Sequence, residues 1–102
     1  MAQFDVHRYP SSTRRARYVV NVQSDLLQEF ATRLVVPAYP ITSEARLISR
    51  LNPTIEIEGK RHFLATQEMT AIRKVSLGEK VRSAAEHRDT IIAAIDLLIT
   101  GI

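Results

Sequence analysis

The stretch Ser83-Ala84-Ala85-Glu86-His87-Arg88-Asp89-Thr90-Ile91-Ile92-Ala93-Ala94-Ile95-Asp96-Leu97-Leu98-Ile99-Thr100-Gly101-Ile102 decides the fold, because an amphipathic helix pattern runs through it to the end of the chain. Ser83-Ala84-Ala85-Glu86 has the form of a capping box, in which the Ser83 hydroxyl and the Glu86 carboxylate reciprocally satisfy free backbone N–H groups. From there Ile91, Ile95, Leu98 and Ile102 recur at helical spacing. They make an apolar stripe with Ile92 and Ile99 on one shoulder and His87 and Ala94 on the other. Opposite lie Asp89, Ala93, Asp96 and Thr100, within an arc of roughly 60° along about 16 Å of helix. Gly101 stands where helices commonly terminate. A helix end placed there is expected to be exposed and to present its side chains to a partner. Asp96 is the odd member: it lies near the negative pole of the helix, and the last turn has no Lys or Arg. A carboxylate there costs about 0.3–1 kcal/mol if exposed. A solvated polar face and an acidic contact awaiting a basic partner both fit that pattern.

Upstream, the chain reads as β. Phe4 and Val6 alternate with Gln3, Asp5 and His7, and the alternation resumes at Tyr18, Val20 and Val22. Turn residues between them predict a hairpin with Arg14, Arg15 and Arg17 near its tip. Arg33-Leu34-Val35-Val36-Pro37 is a short apolar run closed by proline, and Pro40 argues for an edge or loop afterwards. Residues 42–50 fit a short helical turn or an irregular connection equally well. Asn52-Pro53 opens a clearer hairpin: Ile55 and Ile57 alternate with Glu56 and Glu58, Gly59-Lys60 supplies a two-residue turn, and residues 61–65 return. Residues 71–75 form a last strand before Gly78. Many short strands followed by one helix predict a mainly β domain, a small antiparallel sheet or barrel with the helix stripe packed on its face.

With 102 residues the chain makes one domain, 1–102, able to bury around two thirds of its unfolded surface. It has no cysteine, which excludes disulfides and thiolate metal sites. The start lacks the pattern of a signal peptide, and the apolar run 91–99 is broken by Asp96 and too short to span a bilayer. The expectation is a cytoplasmic protein with no membrane association. A net charge of +3 and a pI near 9.7 suit phosphate or an acidic polypeptide. Without interleaved aromatic residues, the arginine cluster is a weak nucleic-acid signal. Three widely separated glycines exclude a phosphate-binding loop. His7, His62 and His87 lie on separate elements with no metal-ligand spacing. His87 is expected to pack on the helix shoulder and His62 to lie at the surface.

Two stretches then stand together: Val20-Asn21-Val22-Gln23-Ser24-Asp25-Leu26-Leu27, and the ending Leu98-Ile99-Thr100-Gly101-Ile102. Between them Arg33-Leu34-Val35-Val36-Pro37 and Leu51-Asn52-Pro53 follow in order. The chain resembles the CcdB family of bacterial toxins, from toxin–antitoxin pairs that act on DNA gyrase. The resemblance runs from Phe4 to Ile102, and the Val-Gln-Ser-Asp segment and final Gly-Ile are its specific parts. It implies a homodimer of SH3-like barrels, each an antiparallel five-stranded sheet with a small inserted sheet and one C-terminal helix. It further implies a non-enzymatic toxin without cofactor or metal. Such a toxin binds the gyrase A subunit and traps the cleaved-DNA complex. A CcdA-like antitoxin neutralises it with a disordered, often acidic segment, and operator DNA is bound only through the toxin–antitoxin complex. Carried over by position, the gyrase contacts are Leu26 and Leu27 after the Ser-Asp pair, and Asp96, Ile99, Thr100, Gly101 and Ile102 on the helix. Asp96 replaces an asparagine, and Ile99 an aromatic residue. Thr100 replaces a tryptophan that stacks on a gyrase arginine, and losing such an anchor typically costs ~2 kcal/mol or more.

Two alternatives accompany this implication. One is a MazF-like endoribonuclease of the same barrel architecture, with Arg14, Arg15, Arg17 and the prolines after Val36 lining a basic dimer groove. The other is a degenerate family member that retains only antitoxin binding.

Overall fold

Alternating apolar and polar side chains produce short strands that join in one antiparallel network. The structure, a computed structural model, describes residues 2–10 and 16–102. Its strands are β1 (Asp5–Arg8), β2 (Tyr18–Asn21), β3 (Thr32–Pro40), β4 (Thr54–Ile57), β5 (Lys60–Leu64), β6 (Thr70–Arg73) and β7 (Lys80–Ser83), followed by helix α1 (Arg88–Thr100). Across the sheet the order is β4-β5-β3-β2-β1-β7, with β6 also paired to β3. Five strands, β7-β1-β2-β3-β6, thus make the main sheet, and the β4–β5 hairpin is inserted between β3 and β6. The mainly β architecture with one C-terminal helix, and the expected β1–β2 hairpin, are present. Ser11, Ser12, Thr13, Arg14 and Arg15, the expected turn and two of its arginines, lie outside the described residues.

Strand β3 does not close at Pro37. It runs nine residues, to Pro40, pairing with β2 along one edge and with β6 and then β5 along the other. In an antiparallel strand a residue's nitrogen and carbonyl face the same edge. The Pro37 carbonyl accepts from Ala65 N at 2.9 Å, so its proton-less nitrogen faces that edge too. There the β6 register ends at Val35 and the β5 register begins at Ala38. The missing donor falls in the handover between two partners, where no ladder bond is lost.

Phe4, Val6, Val20, Val36, Ala38, Ile55, Ile57 and Leu64 point into one core, which Ile91 of α1 caps. The sheet curls until its edges meet. Arg82 of β7 donates Nη1 to the Glu56 carbonyl of β4 at 2.7 Å, and Arg8 of β1 pairs with Glu58 at 2.6 Å. A half-barrel closed by side chains results. The β4–β5 turn is Glu58-Gly59, one residue earlier than expected, because Ile57 pairs with Lys60. Both turn residues have positive φ, +50° and +80°, as a type I′ turn requires. Glu58 is an uncommon residue there, and its carboxylate is held by Arg8 and by the Tyr18 hydroxyl at 2.7 Å.

The helix also starts later than the capping box predicts. Ser83 ends β7, and Ala85–His87 forms a 3₁₀ turn before α1. The Ser83 hydroxyl accepts from Ala85 N, but Glu86 pairs with Arg82 instead of returning to the Ser83 backbone. An adjacent guanidinium outcompetes a neutral amide. Along α1 only Ile91 and Ala94 are buried, with Ile92 and Ile95 half-buried. Leu98, expected on the packed stripe, is exposed because the last turn passes beyond the core, and Ile102 is exposed with the rest of the helix end. Residues 42–50 carry no helix, and the strand expected over 71–75 ends at Arg73, where a 3₁₀ turn begins.

Gly78 is required by space. Its N–H donates to the Arg8 carbonyl at 2.7 Å, and an added Cβ would sit 2.8 Å from that oxygen. Gly78→Ala is therefore expected to destabilise the domain by about 1–3 kcal/mol. The check is a lower urea midpoint with unchanged m-value.

Candidate functional site

The end of α1 is built by backbone geometry. Gly101 adopts the left-handed region, φ +76°, and its N–H donates to Leu97 O at 3.0 Å. Nothing lies within 4 Å of a Cβ built on Gly101, so glycine is needed there for conformation and not for room. The Thr100 hydroxyl donates to the Asp96 carbonyl at 2.7 Å. Beyond the turn, Ile102 is 82% exposed and Ile99 68%. Asp96, Thr100 and Gly101 are exposed beside them. The Asp96 carboxylate has no ion-pair partner among the described residues. The cation missing from the last helical turn comes from the β3–β4 connection, where Arg50 Nη2 donates to Ile102 O at 2.7 Å.

Leu26 and Leu27 sit on a second surface, a 3₁₀ turn over Asp25–Leu27. The Ser24 hydroxyl accepts from Leu26 N, and Asp25 accepts from Gln3 N at 2.8 Å. Gln23 bridges the turn to β3, accepting from Leu34 N and donating to Leu27 O. Leu26 is left 93% exposed, with Leu27 and Phe30 also exposed. Arg33, which sequence reasoning does not single out, holds this loop from beneath. Arg33 is 2% exposed, and its guanidinium donates to the carbonyls of Gln28, Phe30 and Thr32 at 2.7–2.8 Å. An arginine at the head of an apolar run was the available signal. No hydrogen bond or ion pair among the described residues joins this loop to the end of α1.

A third feature opens at the side-chain clasp. A cleft of about 530 Å³ is lined by Arg17, Tyr18, Pro40, Ile57, Glu58, Lys60 and His62. His62, expected at the surface, is buried: its Nδ1 lies 2.9 Å from Lys60 O and its ring meets Tyr18 edge-on at 5.4 Å. It occupies the core face of β5 opposite Ile55, where register outweighs the charged neighbours in sequence. The hydrogen bond to Glu58 raises the Tyr18 phenol above its ordinary value, with burial adding to it. Arg8 is raised chiefly by its hydrogen bond to Glu79. His7 is also buried, with Nδ1 3.0 Å from Gly78 O and Nε2 unpartnered. Among the described residues no group of three or more His, Asp or Glu side chains converges as a metal site, and no helix is long and apolar enough to cross a membrane.

The family model described as CcdB protein matches residues 3–101. Among solved structures, an endoribonuclease in complex with its cognate antitoxin, from a mycobacterial species, aligns with a TM-score of 0.77 at 13% identity. The alignment covers 98% of this chain and 95% of that one, and the likeness is one of fold.

Replacing Arg33 by Met would leave three carbonyls without their charged donor. A loss of about 3 kcal/mol is expected, with amide exchange over residues 26–30 accelerating more than in β3. Tyr18 gives a pH signature. Its folded pKa lies above the ordinary 10.0, so the stabilisation it contributes is complete below that value and is lost as pH rises through the folded pKa. Phenolate absorbance should show a late-ionising tyrosine that Tyr18→Phe removes and Glu58→Gln shifts back toward 10.

Proposed function

The chain belongs to the CcdB family, and from that membership we propose that it is the toxin of a type II toxin–antitoxin pair, inhibiting DNA gyrase by binding its A subunit and trapping the cleavage complex. The observation that carries this reading is the end of α1, where an unpaired carboxylate stands beside two largely exposed isoleucines. Inhibition of this kind is binding and not bond-making, so the chain needs no catalytic group. Asp96 is placed to meet an arginine on the target by a charge-assisted hydrogen bond. Ile99 and Ile102 supply apolar contact, and Gly101 sets the direction in which Ile102 leaves the helix. Leu26 and Leu27 offer a second contact on the loop that Arg33 braces.

The partners follow from the same membership. An acidic, disordered segment of a CcdA-like antitoxin suits a chain of charge +3. The structural neighbour was solved with its own cognate antitoxin, which supports an antitoxin here. Operator DNA is contacted through that complex. A homodimer would cover part of the exposed apolar helix end across a twofold axis. Gyrase places the action in the cytoplasm.

Calorimetric titration of a purified gyrase A-subunit fragment tests the proposal. Binding is expected, and Leu26→Asp or Asp96→Lys should weaken it by about tenfold or more, a change of ~1.4 kcal/mol. Thr100→Trp should tighten it by a similar factor by restoring a stacking anchor. No heat at concentrations on the order of tens of micromolar, with either the natural chain or Thr100→Trp, would overturn the assignment.

A further inference from the structure

The cleft at the clasp belongs to neither surface assigned to the target. Its charges are unbalanced. Glu58 is engaged by Arg8 at 2.6 Å and by the Tyr18 hydroxyl at 2.7 Å, while Arg8 is shared with Glu79 at 2.8 Å. Arg17 and Lys60, both exposed, have no acidic partner among the described residues. Two cations without an ion-pair partner thus flank the cavity, against the single carboxylate of Glu58. Its remaining walls are Tyr18, Pro40 and the buried Ile57, with the Arg8 guanidinium 5.6 Å from the Tyr18 ring centroid. His62 supplies one directional group. Lys60 O can only accept, so His62 Nδ1 carries the proton and donates to it. Nε2 is left as the ring nitrogen for a ligand hydroxyl or amino group. A volume of about 530 Å³ falls within the range of small-molecule sites.

We infer that this cleft binds a nucleoside monophosphate unit, either free or within a single strand, through Arg17 and Lys60 on the phosphate and Tyr18, Pro40 and His62 around the nucleoside. A nucleotide uses every wall: a compact anion for the cations, a flat ring for the apolar side, and polar edges for the imidazole. An acidic peptide would answer the two cations but leave the concave apolar wall and His62 without a role. The inference is independent of gyrase binding, which uses other residues.

The test is a titration of the full chain by nuclear magnetic resonance with adenosine 5′-monophosphate, inorganic phosphate, adenosine, a short single-stranded oligonucleotide and a hexaglutamate peptide. The monophosphate should give saturable shifts of the Tyr18 and His62 side chains, at lower concentration than phosphate or adenosine. An oligonucleotide binding more tightly than the monophosphate identifies a strand as the source; equal binding identifies the free nucleotide. The double variant Arg17→Ala/Lys60→Ala, exposed at both positions, should weaken binding at least tenfold while the core resonances stay in place. Lys74→Ala, an exposed cation on the turn after β6, should leave it unchanged. The inference fails if Lys74→Ala weakens binding as much as the double variant, if hexaglutamate binds as tightly as the monophosphate, or if no ligand shifts Tyr18 and His62.

Discussion

Strand β3 is the constraint on which the rest of this domain depends. Among the described residues it alone serves three partners, β2 on one edge and β6 then β5 on the other. A strand that changes partner has a gap in its ladder, and an unpaired N–H in a buried gap costs free energy. Pro37 removes the donor from that gap. The partner change puts β6 at one end of that edge and the inserted hairpin at the other. Hence the cleft, roofed by the hairpin turn, and the Leu26 loop, which leads into the β6-paired end of β3, are distinct places.

Closure of the sheet is the second determinant. Backbone pairing leaves β4 and β7 as edges, and edges invite association with other chains. Arg82 reaches across to the Glu56 carbonyl, and Arg8 and Tyr18 hold Glu58. These contacts also support a residue at positive φ in the β4–β5 turn. Of these groups, Tyr18 and Glu58 also line the cleft. Stability and the proposed nucleotide site are thus coupled through one carboxylate.

How much of this was legible beforehand can be argued element by element. Helix α1 and the β4–β5 hairpin were readable because their apolar spacing has a single solution. Residues 20–27 and 98–102 carry the family resemblance, and the seven residues proposed to meet the target all stand on exposed segments. Three failures share a cause: competition from distant groups. Ser83 looked like a cap, but β1 claimed it for a strand by pairing it with Asp5. Glu86 looked like its partner, but Arg82 is nearer in charge and space. His62 looked solvated among charged neighbours, yet its strand parity turns it inward beneath Tyr18. Pro37 misleads because a proline breaks a strand only where its nitrogen faces a paired edge, and which edge it faces is set by register and not by local sequence. The cleft draws on β2, β3 and the β4–β5 hairpin, so no local motif announced it. Arg33 was hidden by its type, since a buried guanidinium satisfied wholly by carbonyls has no acidic residue to betray it.

Thr100 has a consequence that its polarity conceals. Its hydroxyl is bonded back to the Asp96 carbonyl one helical turn earlier, and the Ile102 amide lies 3.4 Å from the same oxygen. The oxygen is thereby occupied by the protein's own backbone, and the methyl group remains for whatever approaches. With Ile99 and Ile102 on either side, the tip of the molecule offers three aliphatic contacts beside a single carboxylate, a greasier face than hydropathy tables assign to an isoleucine–threonine–glycine–isoleucine ending.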